Sequence, residues 1–231
     1  MNGLSIIIAT FGVCNYLDEC IKSIMEQDVD YDFEILLGID NCKDTLNHIS
    51  GNSLYENVRV FFFEENNGPF VVKNNLVSES KYENILFFDS DDILCNGSLN
   101  KLNLNTLPDM ILLRFKDFFN DDISNCSKLI KTAHGVLFIK KSIFLSLNGF
   151  ENWRCGADTE FIKRFHWNGL KYTKIYDPFF MRRIHTKNLT VSEETKFGST
   201  IRKYAADKIN EKYSKKNWPN PELFKKSYQS L

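Results

Sequence analysis

The chain has 231 residues, of which 43% are hydrophobic and 20 are phenylalanine, so it can bury a sizeable core. This composition excludes an intrinsically disordered chain, and the length favours one domain built from two closely packed halves. A formal net charge of −1 gives no reason to expect nucleic-acid binding.

The first 90 residues alternate short apolar runs with helix-length amphipathic segments. The apolar runs predict strands over residues 4–9, 33–39, 58–63 and 85–88. Helices are predicted over residues 15–27 and from the Asn66-Asn67-Gly68-Pro69 turn to about Ser80, with a helix or loop over 43–49. This alternation predicts right-handed βαβ units, a parallel sheet and an α/β fold.

Beyond Gly97 the pattern is looser. Strands are predicted over residues 110–115, 136–139 and 179–184, and helices over 141–147 and 157–167. From Ser192 onward the chain reads as one or two amphipathic helices that break near Pro219 and Pro221.

Cysteine usage and leader signals indicate the compartment. The six cysteines include no Cys-x-x-Cys pair, which disfavours a zinc site and a disulfide scaffold. Residues 1–9 lack the basic lead and longer apolar core of a signal peptide, and no apolar run approaches membrane-spanning length. We therefore expect a soluble, cytoplasmic protein.

The end of the chain is basic. From Lys187 onward, ten Lys or Arg residues stand against five Asp or Glu residues. A solvated helical face is the expected explanation, and a weak contact with an anionic membrane surface or a polyanionic acceptor is the alternative.

Three carboxylates, Asp89, Asp91 and Asp92, directly follow the strand predicted over residues 85–88. Like charges at a strand tip repel one another unless a cation lies there, and ligands of α/β proteins bind at the carboxyl ends of strands. Mg²⁺ or Mn²⁺ holding the phosphates of a nucleotide suits such a position. A Rossmann dinucleotide fold is disfavoured, because residues 10–15 contain only Gly12 where that fold needs three glycines.

Six motifs in the right order make the chain resemble the family 2 glycosyltransferases, which share the GT-A nucleotide-sugar fold. The resemblance extends over roughly residues 4–190, most of the chain, and the motifs are the segments 4–10, 39–44, 66–74, 87–92, 134–150 and 155–161. The resemblance implies a single GT-A domain with a mostly parallel central sheet, flanking helices, a smaller acceptor-side sheet and a helical tail. Residues 1–95 would form the nucleotide-binding half, 96–190 the acceptor side and 191–231 the tail.

The resemblance also implies a set of donor-binding residues. They are Thr10, Phe11, Asp40, Lys73, Asp89 and Ser90. Thr10 and Phe11 would line the base pocket, and Asp40 would accept a hydrogen bond from a uracil ring, although it could instead cap a turn. Lys73 would complement the charge of the base or diphosphate, and Asp89 would bind the ribose hydroxyls.

The metal ligands implied by the resemblance are Asp91 and a late histidine, His185, while Arg182 or Arg183 would contact the diphosphate. Judged from the residues alone, a lone histidine such as His185 is more often structural.

Asp158 lies at the position of the family's catalytic base, which would take the proton of the acceptor hydroxyl during an inverting transfer. A helix N-cap is the alternative for this residue. The family usually has Glu before this Asp, and here Ala157 replaces it. Trp153 could stack on an acceptor sugar or pack in the core, and Glu160 could contact the acceptor or brace the site.

The sequence thus predicts a metal-dependent, inverting glycosyltransferase that moves a sugar from a nucleotide-sugar, most simply a UDP-sugar, to a hydroxyl of a glycan. A sugar nucleotidyltransferase is one alternative, but the expected basic residue is missing from the loop after the first strand. The other alternative is a non-catalytic binding domain of the same fold. That alternative predicts the loss of Asp91 or Asp158, and both are present.

Overall fold

A computed structural model describes residues 2–12, 14–106 and 108–214 of the chain. Within these segments nine strands form one sheet, and they are β1 Gly3–Thr10, β2 Asp32–Asp40, β3 Val58–Phe63, β4 Asn84–Asp89, β5 Ile93–Leu94, β6 Met110–Phe119, β7 Asp122–Cys126, β8 Lys131–Lys140 and β9 Tyr172–Ile184. The α-helices are α1 Cys14–Met25, α2 Lys43–Ile49, α3 Pro69–Glu79, α4 Lys141–Ser146, α5 Ala157–Trp167 and α6 Thr200–Lys212. The strand order is β3-β2-β1-β4-β8-β6-β9-β5, with β7 paired to β6.

The first half of the sheet is parallel and buried. Strands β3, β2, β1 and β4 pair in parallel, and the central strand β1 is apolar on both of its faces, as expected of an inner parallel strand. Helix α1 buries Leu17 and Ile21 in one core cluster, while α3 contributes Leu76 to the cluster on the opposite face. Helix α3 packs closely because Gly38 has no side chain: a Cβ there would lie 2.3 Å from Val72 Cγ1.

The second half of the sheet is mixed. Strand β8 pairs antiparallel with β4 and β6, β6 pairs parallel with β9, and β9 pairs antiparallel with β5. Strands β8, β6, β9 and β5 therefore form the smaller sheet region expected from the sequence, and they continue the central sheet directly. The physical reason is that β4 would otherwise end the parallel set with an unpaired edge, which β8 covers.

The predicted α/β class is confirmed, and each predicted strand and helix that falls within the described residues is present. The two-residue strand β5 and the exposed strand β7 were missed, and β6, β8 and β9 are longer than predicted. Helix α6 accounts for the first part of the predicted helical tail. The predicted breaks at Pro219 and Pro221 lie outside the described residues. Among the helices of the described segments, none is long and apolar enough to cross a membrane.

Candidate active site

A cavity of about 720 Å³ opens where β1, β2 and β4 end. Thr10, Asp40 and Asp89 are the last residues of these three strands, and all three line the cavity. Because parallel strands present their carboxyl ends at the same edge of the sheet, residues distant in sequence meet here. The opposite wall comes from β8 and the start of α5, including Gly135 and Asp158.

The end of β1 supplies one polar and one aromatic group. Thr10 is buried, and its Oγ1 has no hydrogen-bond partner among the described residues. An orphaned buried hydroxyl is costly, so Thr10 is suited to a ligand that fills the cavity. Phe11 is 55% exposed at the cavity wall, which leaves its ring face free to pack against a planar base.

Asp40 is buried and holds the loop that precedes α3. Its Oδ1 accepts from Asn67 N at 2.8 Å, and its Oδ2 accepts from Gly68 N at 2.9 Å. Gly68 has φ +84°, a conformation that favours glycine. Asp40 therefore shapes the cavity wall. Its hydrogen bond to a uracil ring stays a prediction, and it would use a second lone pair of a carboxylate oxygen that already accepts one backbone N–H.

Lys73 and Asp89 form an ion pair at the bottom of the cavity. Lys73 Nζ lies 2.7 Å from Asp89 Oδ1 and 3.3 Å from the carbonyl oxygen of Gly135, and the lysine is 2% exposed. This pair fixes the carboxylate at the end of β4 against β8. Ser90 is also buried and lines the cavity beside Asp89.

Asp91 and His185 face each other. His185 Nε2 lies 2.8 Å from Asp91 Oδ2, and Asn188 Nδ2 donates to the same oxygen at 2.9 Å. Adjacent ligands of an octahedral ion with bonds of about 2.1 Å lie about 3 Å apart, so this oxygen and nitrogen are spaced to hold Mg²⁺ or Mn²⁺. No cluster of three or more His, Cys, Asp or Glu side chains suited to a metal occurs in the described segments. The pair would therefore need donor phosphates and water to complete a coordination shell.

The Asp89–Asp92 segment has a strong negative field. Asp92 is 2% exposed, and burial, then the charges of Asp91 and Asp89, raise the pKa of its carboxyl well above the usual value. A cation bound beside Asp91 would relieve this repulsion. The residues present thus fit a divalent ion both in spacing and in charge.

Arg182 and Arg183 point to opposite faces of β9, so one of them lines the cavity and the other does not. Arg182 lines it, whereas Arg183 is 1% exposed and does not. The guanidinium of Arg183 binds Glu19, Asp121 and the carbonyl oxygen of Asp91. Of the two arginines, only Arg182 can therefore contact a diphosphate bound in this cavity. That contact remains a prediction.

Asp158 lies in the first turn of α5 and lines the cavity. The N-cap of that helix is Gly156, with φ +82°, so Asp158 is not the N-cap residue. Its Oδ1 still accepts from Thr159 N in the first turn at 2.8 Å, so only Oδ2 is without a backbone partner there. A Cβ built on Gly135 would lie 3.5 Å from Asp158 Oδ2 and 3.9 Å from Asp89 Oδ2. Gly135 thus leaves open the space between the candidate base and the end of β4.

His134 was not singled out by the sequence, yet it lies beside the candidate base. Its Nδ1 is 3.1 Å from Thr159 Oγ1, and it lines the cavity. Burial lowers its pKa, and the nearby Asp158 carboxylate opposes that shift. Arg154 and Asn188 are further cavity residues that the sequence reasoning missed. For Asn188 the sequence offered one weak indication of a role in the site, namely that it lies three residues after the candidate metal ligand His185.

Two predicted acceptor residues do not line the cavity. Trp153 packs against the second core cluster, which is the alternative that its sequence position left open. Glu160 is fully buried and binds Arg164, Lys212 and Tyr213, so it braces α5 against α6. Direct contact of either residue with an acceptor remains untested.

Comparison with known proteins identifies the relatives of this site. The family described as Glycosyl transferase family 2 matches residues 5–103, which contain Asp40, Lys73 and the Asp89–Asp92 segment. A Campylobacter jejuni GalNAc(5)-diNAcBac-PP-undecaprenol beta-1,3-glucosyltransferase is 35% identical over 105 residues, covering 44% of this chain and 34% of the relative. The chain therefore spans about a third of that relative's length. An uncharacterized glycosyltransferase of Haemophilus influenzae is 28% identical over 175 residues, covering 73% of this chain and 67% of the relative.

Solved structures support the fold. S. aureus TarS superposes with a TM-score of 0.67 and 15% identity, covering 90% of this chain and 39% of that one. A mannosyltransferase from Pyrobaculum calidifontis, solved with GDP-Man and Mn²⁺, superposes with a TM-score of 0.60 and 13% identity, covering 80% of this chain and 58% of that one. The predicted GT-A fold is thereby confirmed.

Proposed function

We propose that this chain, whose residues 5–103 match the family described as Glycosyl transferase family 2, transfers a sugar from a nucleotide-sugar to a hydroxyl of a glycan acceptor with inversion at the anomeric carbon. The observation that carries the proposal is the pairing of Asp91 and His185 in the same cavity as Asp158. The open space at Gly135 separates the Asp158 carboxylate from the end of β4.

The donor is proposed to bind along the ends of β1, β2 and β4. Thr10 and Phe11 would contact the base, and Asp89, held by Lys73, would accept bonds from ribose hydroxyls. Asp91 and His185 would hold Mg²⁺ or Mn²⁺, which neutralises the developing charge of the departing diphosphate. A UDP-sugar is the proposed donor. S. aureus TarS has been solved with UDP-GlcNAc, which supports that donor class, whereas the mannosyltransferase carries GDP-Man.

The acceptor is proposed to enter from the β8 side. Asp158 would remove the proton of the attacking hydroxyl, because its carboxylate faces the space left by Gly135. The direct displacement breaks the bond from the anomeric carbon to the diphosphate oxygen as the acceptor oxygen bonds to the opposite face. No covalent sugar–enzyme intermediate is formed. His134, beside Asp158, would keep the base oriented through Thr159.

A thermal-shift titration tests the donor half of this proposal. UDP, GDP and their sugar derivatives would be added with and without Mn²⁺ to the wild type and to Asp91→Asn. A nucleotide that binds only the folded state stabilises it by RT ln(1 + L/Kd), where L is the free nucleotide concentration, so the melting temperature rises with the logarithm of that concentration once it exceeds the Kd. We expect a shift that depends on Mn²⁺ and is lost in Asp91→Asn.

Asp28→Asn is the matched control, because Asp28 lies outside the cavity and carries the same change in charge. No shift with any nucleotide in folded wild-type protein would contradict the donor site. It would favour a domain that retains the fold without the activity.

A further inference from the structure

Two cations on the acceptor side of the cavity share one buried carboxylate. Lys131 Nζ lies 2.5 Å from Asp117 Oδ2, and Arg182 Nε lies 2.7 Å from Asp117 Oδ1. Asp117 is opposite Arg182 in the β6–β9 pair, and Lys131 is opposite Phe115 in the β6–β8 pair. The three charged side chains thus share one face of the sheet, and their sum is one positive charge.

Asp117 fixes the Lys131 and Arg182 side chains, but both cations keep hydrogen-bond donors that no residue uses in the part of the chain described. The Asp117 side chain is 5% exposed, and the Arg182 guanidinium also stacks on Phe115 at 4.6 Å from the ring centroid. Within the described part of the chain, Arg182 Nη1 and Nη2 donate to no residue, and the Lys131 side chain is 40% exposed. Both cations line the cavity. A fixed guanidinium with two free donors is a ready partner for a phosphate or carboxylate.

The pair lies on β8 and β9, outside the strands β1, β2 and β4 whose ends are proposed to hold the donor. Lys131 precedes Gly135 by four residues on β8, in a stretch where the β6–β8 register shifts, since Thr132 pairs with Arg114 and Leu137 with Leu112. Gly135 lies near both Asp89 and Asp158, and Lys131 lies at the start of β8, where that strand pairs with β6. The nucleotide side has its own cation, Lys187, whose Nζ donates to the carbonyl oxygen of Gly12.

We propose that Lys131 and Arg182 bind an anionic substituent, a phosphate or a carboxylate, of the acceptor glycan. This inference rests on the proposed function, since it assigns the acceptor class of the same cavity. It replaces the diphosphate contact predicted for Arg182. Asp117 is the positioning residue of this subsite, because it fixes both cations while leaving a net positive charge.

Binding of three matched trisaccharides tests the proposal. Maltotriose, maltotriose bearing one phosphate, and trigalacturonate would be titrated by calorimetry into protein saturated with UDP and Mn²⁺, so that charged probes cannot occupy the donor site. We expect at least one charged probe to bind about fivefold or more tightly than maltotriose, with a preference that weakens as salt rises. The better of the two charged probes identifies the substituent as phosphate or carboxylate.

The variants are Lys131→Gln and Arg182→Gln, with Lys128→Gln as the control. Lys128 is exposed, lies outside the cavity and is three residues from Lys131. Each cavity variant should remove most of the preference for the charged probe, while Lys128→Gln and UDP binding stay unchanged. If Arg182→Gln lowers the melting temperature, Arg182→Lys keeps the charge beside Asp117 and should restore part of the preference.

Three results are distinguishable. Equal affinity for all three probes, or a preference that survives both cavity variants, would overturn the anionic subsite. A loss of UDP affinity in Arg182→Gln would return that arginine to the diphosphate and also overturn it. Wild-type protein that binds no UDP would instead contradict the proposed function.

Discussion

The two sides of the cavity are built from different parts of their strands. On the nucleotide side, Thr10, Asp40 and Asp89 stand at the ends of parallel strands. On the acceptor side, Gly135 and Asp117 stand within the long strands β8 and β6 and not at their last residues, and the cavity lies against the face of the sheet. The first arrangement follows from strand order alone, whereas the second depends on the register of three mixed strands.

Under the proposed function, this difference would let a single sheet combine a shared reaction with a particular acceptor. In a parallel sheet the carboxyl ends of the strands lie side by side, so the side chains at these ends meet whatever the rest of the sequence is. The donor side therefore depends on few specific residues. A sheet face presents a side chain every second residue, so its charge can change without moving the strands. Substitutions that separate these two sides should therefore have separable effects.

The largest expected effect is at Arg183, which joins the two sides. From β9 its guanidinium binds Glu19 of α1 and Asp121 of the β6–β7 turn, each at 2.6 Å, and donates to the carbonyl oxygen of Asp91. Arg183→Met should lower the free energy of unfolding by about 3 kcal/mol, because it breaks pairs made by a buried cation. For a chain of this size the melting temperature should fall by about 6–12 °C.

Arg59→Met is the control for that measurement. Arg59 is 44% exposed and pairs with Glu34, so its loss should cost less than about 1 kcal/mol. Chemical denaturation of both variants measures the difference. Equal stability of the two variants would mean that the sides are not joined through Arg183.

The next largest effect is a loss of folding stability at low pH that begins on the acceptor side. His166 on α5 is buried, its Nε2 has no partner among the described residues, and burial lowers its pKa to about 4. In the unfolded state the His166 imidazole takes up a proton near pH 6.5, whereas in the folded state it does so only near pH 4. The free energy of unfolding is therefore unaffected by His166 above pH 6.5 and falls as the pH drops from 6.5 toward 4. From pH 7 to pH 4.5, wild type should lose about 2.5 kcal/mol more than His166→Gln.

Urea unfolding at several pH values measures that difference, and hydrogen exchange locates it. Amides of α5 and β9 should lose protection first at low pH, while those of β1 and β2 keep it. Parallel pH profiles for wild type and His166→Gln would contradict a neutral, buried His166.

The smallest effect tests the space between the two sides. A methyl group at Gly135 would meet Asp158 Oδ2 at 3.5 Å, an ordinary contact, so Gly135→Ala should fold with nearly unchanged stability. The methyl would still intrude where acceptor and donor meet, and we expect transfer to fall about ten- to thirtyfold with nucleotide binding retained. Steady-state rates and a nucleotide titration check this, and an unchanged rate would mean that the reaction occurs elsewhere.

The nucleotide side could be largely predicted from the sequence. Its strands are uninterrupted apolar runs, and the carboxylates of residues 89–92 directly follow one of them. The resemblance then named Asp158, which lies opposite that strand end across Gly135.

The acceptor side could not be predicted to the same extent. Charged side chains such as Asp117 and Arg182 interrupt the apolar pattern of β6 and β9, so the sequence indicated shorter strands. Their pairing arises from strand register, which no local pattern encodes. The burial of Arg183 likewise depends on partners from three separate segments, and adjacent arginines on one strand do not reveal which of them faces the cavity.

Single-turnover transfer by Asp158→Asn tests the central claim most directly. The substitution keeps the shape of the side chain but removes the base, so transfer should fall about a thousandfold while the Kd for the nucleotide-sugar changes less than about twofold. A rate within about tenfold of wild type would show that Asp158 is not the base. A matching loss of nucleotide binding would place Asp158 in the donor site instead.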